Sequence, residues 1–394
     1  MKIPYASPNL GIIDFISSLF ISGRAANDKI ETYFSDLTGK KHILITNSCR
    51  SALFLAYTVI SAKGEVITSP LTCKVAIDPI IEAGNTPVFA DISMGDLNIR
   101  PGDIEHRIND KTIAIQAIHL GGVSCDMEQI LPIAQKKKLL VIEDCAQSLG
   151  AVFRGKHTGS FGDVACFSLI KNVYGIGGGI LATDDYKIYQ KAQNINNTLD
   201  KTPLPLIIFR IVRNILNTKR KYRSIFPIYK IIMSLRGGKQ SYKSVHGQLY
   251  RISSIEKKIA AHQMDRLNGL HEKRKKIGKR YCELLIKNRI MLNHGFDVNS
   301  SSFTKLFVCH PAINSQKHLK VLSAQGIEAM HLEQKNGSPF QERLVSTGIS
   351  VQSGLQNYHK AHDCIVSPPI TENLGASEIH FVTQTLKKIK DENK

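Results

Sequence analysis

A lysine near the middle of the chain is the residue with the clearest chemical potential. It lies in the stretch SFGDVACFSLIKNVYGIGGGILATDD, residues 160–185, where an apolar run ends at Ser168 and Lys171 follows. Glycines at 175 and 177–179 then lead into a second apolar run. A lysine between two buried strands is expected beside a ligand pocket, where its amine can act as a nucleophile. An ordinary loop lysine is the alternative at this point, because glycines after a strand are common.

An acidic residue closes another apolar run upstream. The stretch VIEDCAQSLGA places Asp144 at the end of a strand pattern and Gln147 three residues later. An acid that faces a pocket from a strand end can keep a pyridine nitrogen protonated, which makes a pyridoxal ring an electron sink. Asp144 and Lys171 would then act on the same ring. The alternative is that Asp144 caps a helix at a junction between strand and helix.

A third stretch, ITNSCRSALFLAY, predicts a strand, a few small polar residues and then a helix. Free backbone amides at the start of that helix, around Cys49, Arg50 and Ser51, can bind a phosphate group. Ser48 or Ser51 could instead serve only as the helix cap.

Seven short β-rich runs alternate with helical stretches and would position these residues. Several runs are continuously apolar, which favours a mostly parallel sheet covered by helices on both faces, and hence an α/β fold. Ligands of such sheets bind beyond the carboxyl ends of the strands, so the polar residues that close the runs are the candidates for function. The runs cover residues 42–46, 65–68, 87–92, 112–120, 139–144, 163–169 and 178–183.

The composition is that of a globular protein. The chain has 394 residues, 42% of them hydrophobic, and a formal net charge of +19, which favours anionic partners. A nucleic-acid-binding role would use this charge, but no recognition motif accompanies it, and we expect no nucleic acid partner. Eight scattered cysteines without metal-ligand spacing predict reduced thiols in a cytoplasm and no metal site.

The N-terminal stretch predicts an amphipathic first helix rather than a signal peptide, because Asp14 interrupts its apolar run. No stretch has the length of a membrane-spanning helix. The apolar positions that recur at helical spacing are Ile12, Ile13, Ile16, Leu19 and Phe20.

Residues 203–236 form a second, strongly basic amphipathic segment. We expect either that it lies on an anionic membrane surface or that its apolar face packs on the protein or on a partner subunit. The apolar face comprises Leu204, Ile207, Ile208, Ile211, Val212, Ile215 and Leu216, and the basic flank comprises Arg210, Arg213, Lys219, Arg220, Lys221 and Arg223.

The joint order of these stretches resembles the DegT/DnrJ/StrS family of pyridoxal-phosphate-dependent nucleotide-sugar aminotransferases, which have the fold-type I architecture. The similarity runs nearly from end to end through IPYASPNLG, NSCRSAL, GEVITSPLTC, AGNTPVFADI, HLGG, VIEDCAQSLGA, GSFGDVACFSL and RISSIEKKIAAHQMDRLNGLHEKR. It implies a large domain with a seven-stranded, mostly parallel sheet and a smaller C-terminal α/β domain. We expect a large cofactor-binding domain with the N-terminal helix (1–200), a basic amphipathic insertion (201–245), a connecting long helix (246–289) and a small C-terminal domain (290–394).

The resemblance also implies roles for the candidate residues. Lys171 would form the Schiff base with pyridoxal 5'-phosphate, and Asp144 would pair with the pyridine nitrogen. Gln147 would lie near the ring. The phosphate would be held by Ser168 and by the backbone around Cys49 and Arg50.

The implied reaction transfers an amino group, from a donor such as glutamate, to a keto sugar carried on a nucleotide diphosphate. Such an enzyme would serve the synthesis of a surface polysaccharide or a related glycan. The resemblance implies a homodimer, in which residues near 247–251 of one subunit complete the site of the other.

The chain departs from the family pattern around the phosphate and the ring. Cys49 and Arg50 replace a usual Gly-Thr pair, and two residues instead of about four separate Ser168 from Lys171. These differences leave a second hypothesis, that the protein binds the cofactor with altered or lost catalysis. Three further replacements are Cys73 for an aromatic residue, Ile176 for a glutamate and Leu249 for an asparagine that would reach the phosphate from a neighbouring subunit.

Four other polar residues are weaker candidates. His119 closes a β-run and could face the cofactor, but a hydrogen-bonded core histidine is the simpler interpretation. His331 could lie on a substrate-side loop. Arg154 and Lys156 could contact a diphosphate, or could belong to a solvated turn.

Overall fold

The computed structural model describes residues 3–5, 11–60, 62–218, 245, 248–291, 293, 295–331 and 354–393. Its main feature is a seven-stranded sheet with the order β1-β9-β8-β5-β4-β2-β3. Strand β9 runs antiparallel to both of its neighbours, and the other described pairs are parallel. The strands are β1 His42–Thr46, β2 Glu65–Thr68, β3 Thr86–Phe89, β4 Thr112–Ile118, β5 Leu140–Asp144, β6 Val152–Phe153, β7 Lys156–His157, β8 Val164–Ser168, β9 Gly179–Thr183, β10 Val308–Cys309 and β11 Ile365–Val366.

The predicted α/β fold is confirmed, and each of the seven β-rich runs overlaps one strand of the large sheet. Helices α3, α4 and α7 contribute to one core, and α2, α5, α6 and α9 to cores on the opposite face, so both faces of the sheet are covered. The helices are α1 Ile12–Leu19, α2 Gly23–Thr38, α3 Cys49–Val59, α4 Lys74–Glu82, α5 Pro101–Arg107, α6 Met127–Lys137, α7 Tyr186–Thr198, α8 Leu204–Thr218, α9 Ser254–Met264, α10 Leu267–Lys287, α11 Ser315–Ala324, α12 Gln356–Cys364 and α13 Ala376–Glu392.

A separate hydrophobic core lies in the C-terminal part of the chain. It combines side chains of α10, α11 and α13 with those of the antiparallel pair β10–β11. The beginning of the chain packs on this core as well, because Ile3 is buried there and its amide donates to the carbonyl of Gly326 at 2.9 Å. The domain boundaries given above remain predictions.

The first helix forms where the periodicity predicts it, but its apolar face does not pack inward. Ile13 is 75% exposed and Phe20 is 86% exposed, whereas Phe15 and Ser18 are the buried side chains of α1. Phe15 packs with Ile207 of α8. The regular apolar spacing therefore marks a surface, and the contact with the protein is made by a different edge of the helix.

Helix α8 accounts for the described half of the basic amphipathic segment, and the remainder of that segment lies outside the described residues. Its apolar face is divided: Ile207 is buried, whereas Leu204 and Ile208 are exposed. Arg210, which the pattern places on the basic flank, does not face outward, because its side chain is only 16% exposed and pairs with the buried carboxylate of Glu256. No helix in the described part of the chain combines the length and apolar character needed to cross a bilayer.

Candidate active site

The six residues singled out in the sequence line one cavity. Its volume is about 230 Å³, and it opens at the edge of the sheet where β1, β4, β5 and β8 end. Parallel strands bring their carboxyl ends to a common edge, which explains why distant segments of the sequence meet here. The predicted residues in this cavity are Cys49, Arg50, Asp144, Gln147, Ser168 and Lys171.

The glycine cluster after Lys171 allows the first turn of α3 to approach the sheet closely. Gly178 has a φ of 105°, a conformation that favours glycine, and it forms a bridge with Ser48. A Cβ atom on Gly179 would overlap with the backbone of Ser48 and Cys49. These glycines therefore fix the start of α3 beside the strand that follows the Lys171 loop.

The start of α3 combines a cap with a position on the cavity wall. Ser48 is the N-cap, and its Oγ accepts a hydrogen bond from the amide of Ser51 at 3.1 Å. Arg50 lies in the same first turn and its guanidinium donates to Oε1 of Gln248 at 3.2 Å. The backbone of this turn, at the positive end of the helix dipole, points toward a site suited to an anion.

Asp144 is the buried acid of the cavity. It is 4% exposed, and its Oδ1 accepts a hydrogen bond from the amide of Ala146 at 3.0 Å. Burial raises the pKa of Asp144, and the positive charge of Lys171 opposes part of that rise. The alternative role as a helix cap was wrong, because residues 145–150 form turns and no helix begins there.

Gln147 and Ser168 complete the wall on either side of the acid. The amide of Gly121 donates to Oε1 of Gln147 at 3.2 Å, which fixes the orientation of the side chain. Ser168 is the last residue of β8 and is buried. Although only two residues separate it from Lys171, both side chains border the same cavity.

A buried polar network holds the loop that carries Lys171. Arg274 of α10 donates to Oδ1 of Asn172 at 2.7 Å and to the Tyr174 hydroxyl at 3.0 Å. The same arginine pairs with Glu372, which also accepts from the Tyr174 hydroxyl. Tyr174 has a φ of 57°, which costs a non-glycine residue energy, so the network maintains a loop conformation that the backbone alone disfavours.

His119 belongs to the core and not to the cavity. Its Nδ1 accepts from the amide of Cys125 at 3.0 Å and its Nε2 lies 3.0 Å from Glu143 Oε2, which assigns the proton to Nε2. Burial alone would raise the pKa of Glu143, but hydrogen bonds from His119 and from backbone amides, including that of Gly162, hold it below its ordinary value. The simpler of the two interpretations of His119 is therefore confirmed.

The other weak candidates also lie elsewhere. His331 is buried, and its Nε2 lies 2.8 Å from the carbonyl oxygen of His362. Arg154 forms an exposed ion pair with Glu128 at 2.9 Å, and Lys156 is exposed on the short hairpin β6–β7. These positions agree with the solvated-turn interpretation of Arg154 and Lys156.

The structure adds cavity residues that the sequence reasoning missed. Asn47 and Gln248 border the cavity. The side-chain Nδ2 of Asn47 donates a hydrogen bond to the backbone carbonyl of Gln248 at 2.9 Å. Thr72 and Arg210 line it as well. Asn47 directly precedes the predicted phosphate turn and could have been found from that position, whereas the helical periodicity of α8 gives no sign that Arg210 points inward.

The departures from the family pattern have structural counterparts. Cys73 occupies the N-cap position of α4, without a capping hydrogen bond from its side chain, and lines the cavity. Ile176 is fully buried and packs against Phe15 and Ile207, so an apolar residue suits the place where α1 and α8 cover the loop. Leu249 packs on the main core.

Comparison with known proteins agrees with this fold. The family model described as the DegT/DnrJ/EryC1/StrS aminotransferase family matches residues 14–387. The chain is 39% identical over 202 residues to the spore coat polysaccharide biosynthesis protein SpsC of Bacillus subtilis, covering 48% of this chain and 51% of SpsC. It is 34% identical over 200 residues to the GDP-perosamine synthase of Escherichia coli O157:H7, covering 48% of this chain and 55% of the synthase.

A solved structure of Spr1654 from Streptococcus pneumoniae, in its PLP form, superimposes with a TM-score of 0.76 at 19% identity and covers 100% of both chains. That likeness concerns the fold. The match to SpsC and to the synthase spans about half the length of each of those relatives. The structure is an α/β protein with a polar cavity at the carboxyl ends of its parallel strands. The family match extends over most of the chain, and the protein belongs to the DegT/DnrJ/EryC1/StrS aminotransferase family.

Proposed function

We propose that this protein is a pyridoxal-phosphate-dependent aminotransferase that acts on a keto sugar carried on a nucleotide diphosphate. The observation that carries the proposal is the meeting of Lys171, Asp144 and the start of α3 in one cavity. An amine, a buried acid and a helix N-terminus are the three groups that such a cofactor needs for its aldehyde, its ring nitrogen and its phosphate.

The residues of the cavity fit this cofactor. The amides of the first α3 turn, Arg50 and the Ser168 hydroxyl would hold the phosphate, and Asp144 would hold a proton on the ring nitrogen. Gln147 would contact the ring or its phenolic oxygen. When bound, the cofactor supplies an electron sink for the transfer of an amino group.

Lys171 and Asp144 would have separate tasks in the reaction. Lys171 is half-buried at the cavity, where its amine can bind the cofactor and then move a proton to or from the substrate carbon. The buried carboxylate of Asp144 would stay charged when it pairs with a protonated ring nitrogen, because that partner offsets the cost of burial. The turn that starts at residue 145 keeps the acid oriented toward the cavity.

The substrate class is supported by the relatives. A GDP-perosamine synthase and a spore coat polysaccharide biosynthesis protein both match about half of this chain. We therefore propose a nucleotide-linked keto sugar as the amino acceptor, glutamate as the donor, and the synthesis of a surface polysaccharide as the purpose.

The direct test is the reaction itself. Purified protein is incubated with cofactor, glutamate and a panel of nucleotide-linked keto sugars, and the product mass is followed. The proposal predicts a sugar product in which an amino group replaces the carbonyl oxygen, with no product from Lys171→Ala. A cofactor-loaded protein that aminates no sugar in the panel and forms no 2-oxoglutarate from glutamate would favour the second hypothesis, a binding protein that has lost catalysis.

We also propose a homodimer, as the resemblance implies. Gln248 belongs to the segment expected to complete the partner's site, but it borders the cavity of its own chain. The groups that a partner subunit contributes would therefore be other residues. Sedimentation at micromolar concentration should give a mass of two chains, whereas a fully active monomer would contradict this proposal.

A cytoplasmic location with peripheral membrane contact is a separate proposal. It is supported by the exposed apolar side chains Leu204 and Ile208 of α8, which lie in a chain of net charge +19. Flotation with acidic liposomes at low salt should recover the protein, and the Leu204→Ser/Ile208→Ser variant should stay behind. Wild-type protein that does not float would contradict the contact.

A further inference from the structure

Arg210 is a cationic side chain that the amphipathic pattern of α8 assigned to the surface and that the structure places inside. It is 16% exposed and lines the same cavity as Cys49, Ser168 and Lys171. The sequence between Asp200 and Glu256 contains basic residues and no acidic ones, so Arg210 pairs across the fold with the first acid beyond that segment.

Glu256 fixes the direction of this arginine. Its carboxylate is fully buried, and Oε2 accepts hydrogen bonds from the amide and the hydroxyl of Ser253, at 3.0 Å and 2.9 Å, in the capping box of α9. Oε1 accepts from one terminal nitrogen of Arg210. A guanidinium carries five N–H donors in a rigid, planar arrangement. When one terminal nitrogen is bound to Glu256, the orientation of the group is fixed, and its other N–H donors can bind a second anion.

The ion pair lies beside the glycines that contact the start of α3, where the phosphate is predicted to bind. A Cβ atom on Gly177 would lie 2.7 Å from a terminal nitrogen of Arg210 and would also overlap with the Glu256 carboxylate. Gly178, the next residue, forms the bridge with Ser48 at the start of α3. Because Gly177 has no side chain, the Arg210–Glu256 pair can pack against its backbone, next to the residue that contacts the start of α3.

At Leu249 the chain lacks a polar side chain that the family pattern has. This leucine stands where the family pattern has an asparagine that would reach the phosphate of the neighbouring subunit, and it packs on the core of the large sheet. A neutral donor that would come from the partner subunit is therefore replaced by an apolar side chain, while a charged donor, Arg210, lines the cavity from within the same chain.

We propose that Arg210 binds the phosphate of the cofactor from within the same chain and that Glu256 is its positioning residue. The proposal rests on the proposed function, because it needs a phosphate-bearing cofactor in this cavity. A charge-assisted hydrogen bond from a guanidinium to a phosphate is among the strong ones in proteins, and the anchored geometry of Arg210 favours it.

The test compares two forms of the cofactor. Apo protein is titrated by equilibrium dialysis with pyridoxal phosphate and with pyridoxal, which has the same ring and aldehyde but no phosphate. For Arg210→Ala we expect the affinity for pyridoxal phosphate to fall by about tenfold or more, and the affinity for pyridoxal to stay unchanged. Arg280→Ala, which removes an arginine from the exposed pair with Glu283, is the matched control and should change neither affinity.

A second variant distinguishes loss of phosphate binding from destabilisation of the fold. Arg210→Ala leaves the buried Glu256 carboxylate without this partner, so Arg210→Ala/Glu256→Gln removes the charge as well and should show the same selective loss. Glu256→Gln alone should reduce the preference for pyridoxal phosphate over pyridoxal, a ratio that a merely structural role would not change.

The possible outcomes distinguish a failure of the role of Arg210 from a failure of the proposed function. An equal loss of both affinities, or no loss of either, would overturn the role of Arg210 alone. An unchanged affinity for pyridoxal phosphate with a raised KM for glutamate would also overturn it, in favour of a contact with the donor carboxylate. Wild-type protein that binds neither compound would overturn the proposed function together with this inference.

Discussion

Asp144 shows how a single buried charge can serve ligand binding at the expense of stability. Burial raises its pKa above the ordinary value of 3.8, so the folded state holds the proton more tightly than the unfolded state does. Its contribution to stability is therefore present at low pH and is lost as the pH rises through the raised pKa. At neutral pH the apo protein carries a cost of burying this charge that Lys171 offsets only in part, and a protonated ring nitrogen would offset more of it.

The Asp144→Asn variant should separate these two effects. We expect apo Asp144→Asn to melt at or above the temperature of apo wild type at pH 8, because the amide carries no charge to bury. Turnover should fall by about a hundredfold or more, the scale of losing one electrostatic contribution at a reacting group. Calorimetry and product assays measure the two quantities, and a variant with wild-type turnover would contradict the role of Asp144.

His271 gives the molecule a predictable sensitivity to acid. It packs against Gly150, and burial lowers its pKa from 6.5 to about 3. The unfolded state therefore binds a proton below pH 6.5 that the folded state does not, and stability falls as the pH is lowered. Between pH 7 and pH 5 the free energy of unfolding should drop by about 2 kcal/mol through this group.

The His271→Gln variant tests this assignment. It removes the titrating group, so its unfolding free energy should change less between pH 7 and pH 5 than that of wild type in urea titrations. Equal pH dependence of the two proteins would show that another group is responsible.

The residue types at the site could be predicted where they follow a strand end. Lys171, Asp144 and Ser168 all close or follow apolar runs, and the structure brings them to one cavity. Arg210 could not be predicted in this way, because its orientation depends on a pairing with Glu256 across 46 positions of sequence. Local periodicity describes which side of a helix is apolar and does not reveal where a long basic side chain ends.

At the scale of elements, the contact between β9 and α3 depends on the absence of a side chain. Gly179→Ala should push the start of α3 away from the strand, because the added methyl group overlaps with backbone that cannot rotate aside. We expect a loss of about 1–3 kcal/mol in the free energy of unfolding, the range for overpacked sites, together with weaker cofactor binding.

Gly269→Ala is the control for this prediction. Gly269 lies exposed within α10, and its added Cβ would meet nothing within 4 Å. Alanine should stabilise the helix there by up to about 1 kcal/mol. Urea unfolding of both variants decides the matter, and equal effects would show that the close approach of α3 is unimportant.

The strands were more predictable than their directions. Each β-rich run overlaps a strand, since continuous apolar residues suit a sheet buried on both faces. The antiparallel direction of β9 follows from the short loop after Lys171, and the hairpin of Val152–Phe153 with Lys156–His157 is too short to leave a periodic pattern. Strand order depends on long-range packing, which no local window of sequence contains.

At the scale of the whole molecule, Arg274 and Glu372 connect the Lys171 loop to the long helix and to the C-terminal part of the chain. Replacing Arg274 by Met leaves the Glu372 carboxylate buried without its cationic partner. We expect a loss of about 3–5 kcal/mol in the free energy of unfolding. The Arg274→Met/Glu372→Gln variant should recover part of that loss, and calorimetry measures both.

Arg280→Ala provides the surface comparison for the same helix. Its pair with Glu283 is exposed, so the change should stay within about 1 kcal/mol. If Arg274→Met were equally mild, the buried network would not connect the two parts of the molecule in the way described.

The position of Lys171 is the central claim, and one chemical measurement tests it most directly. Protein loaded with pyridoxal phosphate is reduced with borohydride, digested, and analysed by mass spectrometry for a pyridoxyl-modified lysine. We expect the modification on the peptide that contains Lys171, and its disappearance in a folded Lys171→Ala variant. A modification at any other lysine, or undiminished labelling of Lys171→Ala, would contradict the account.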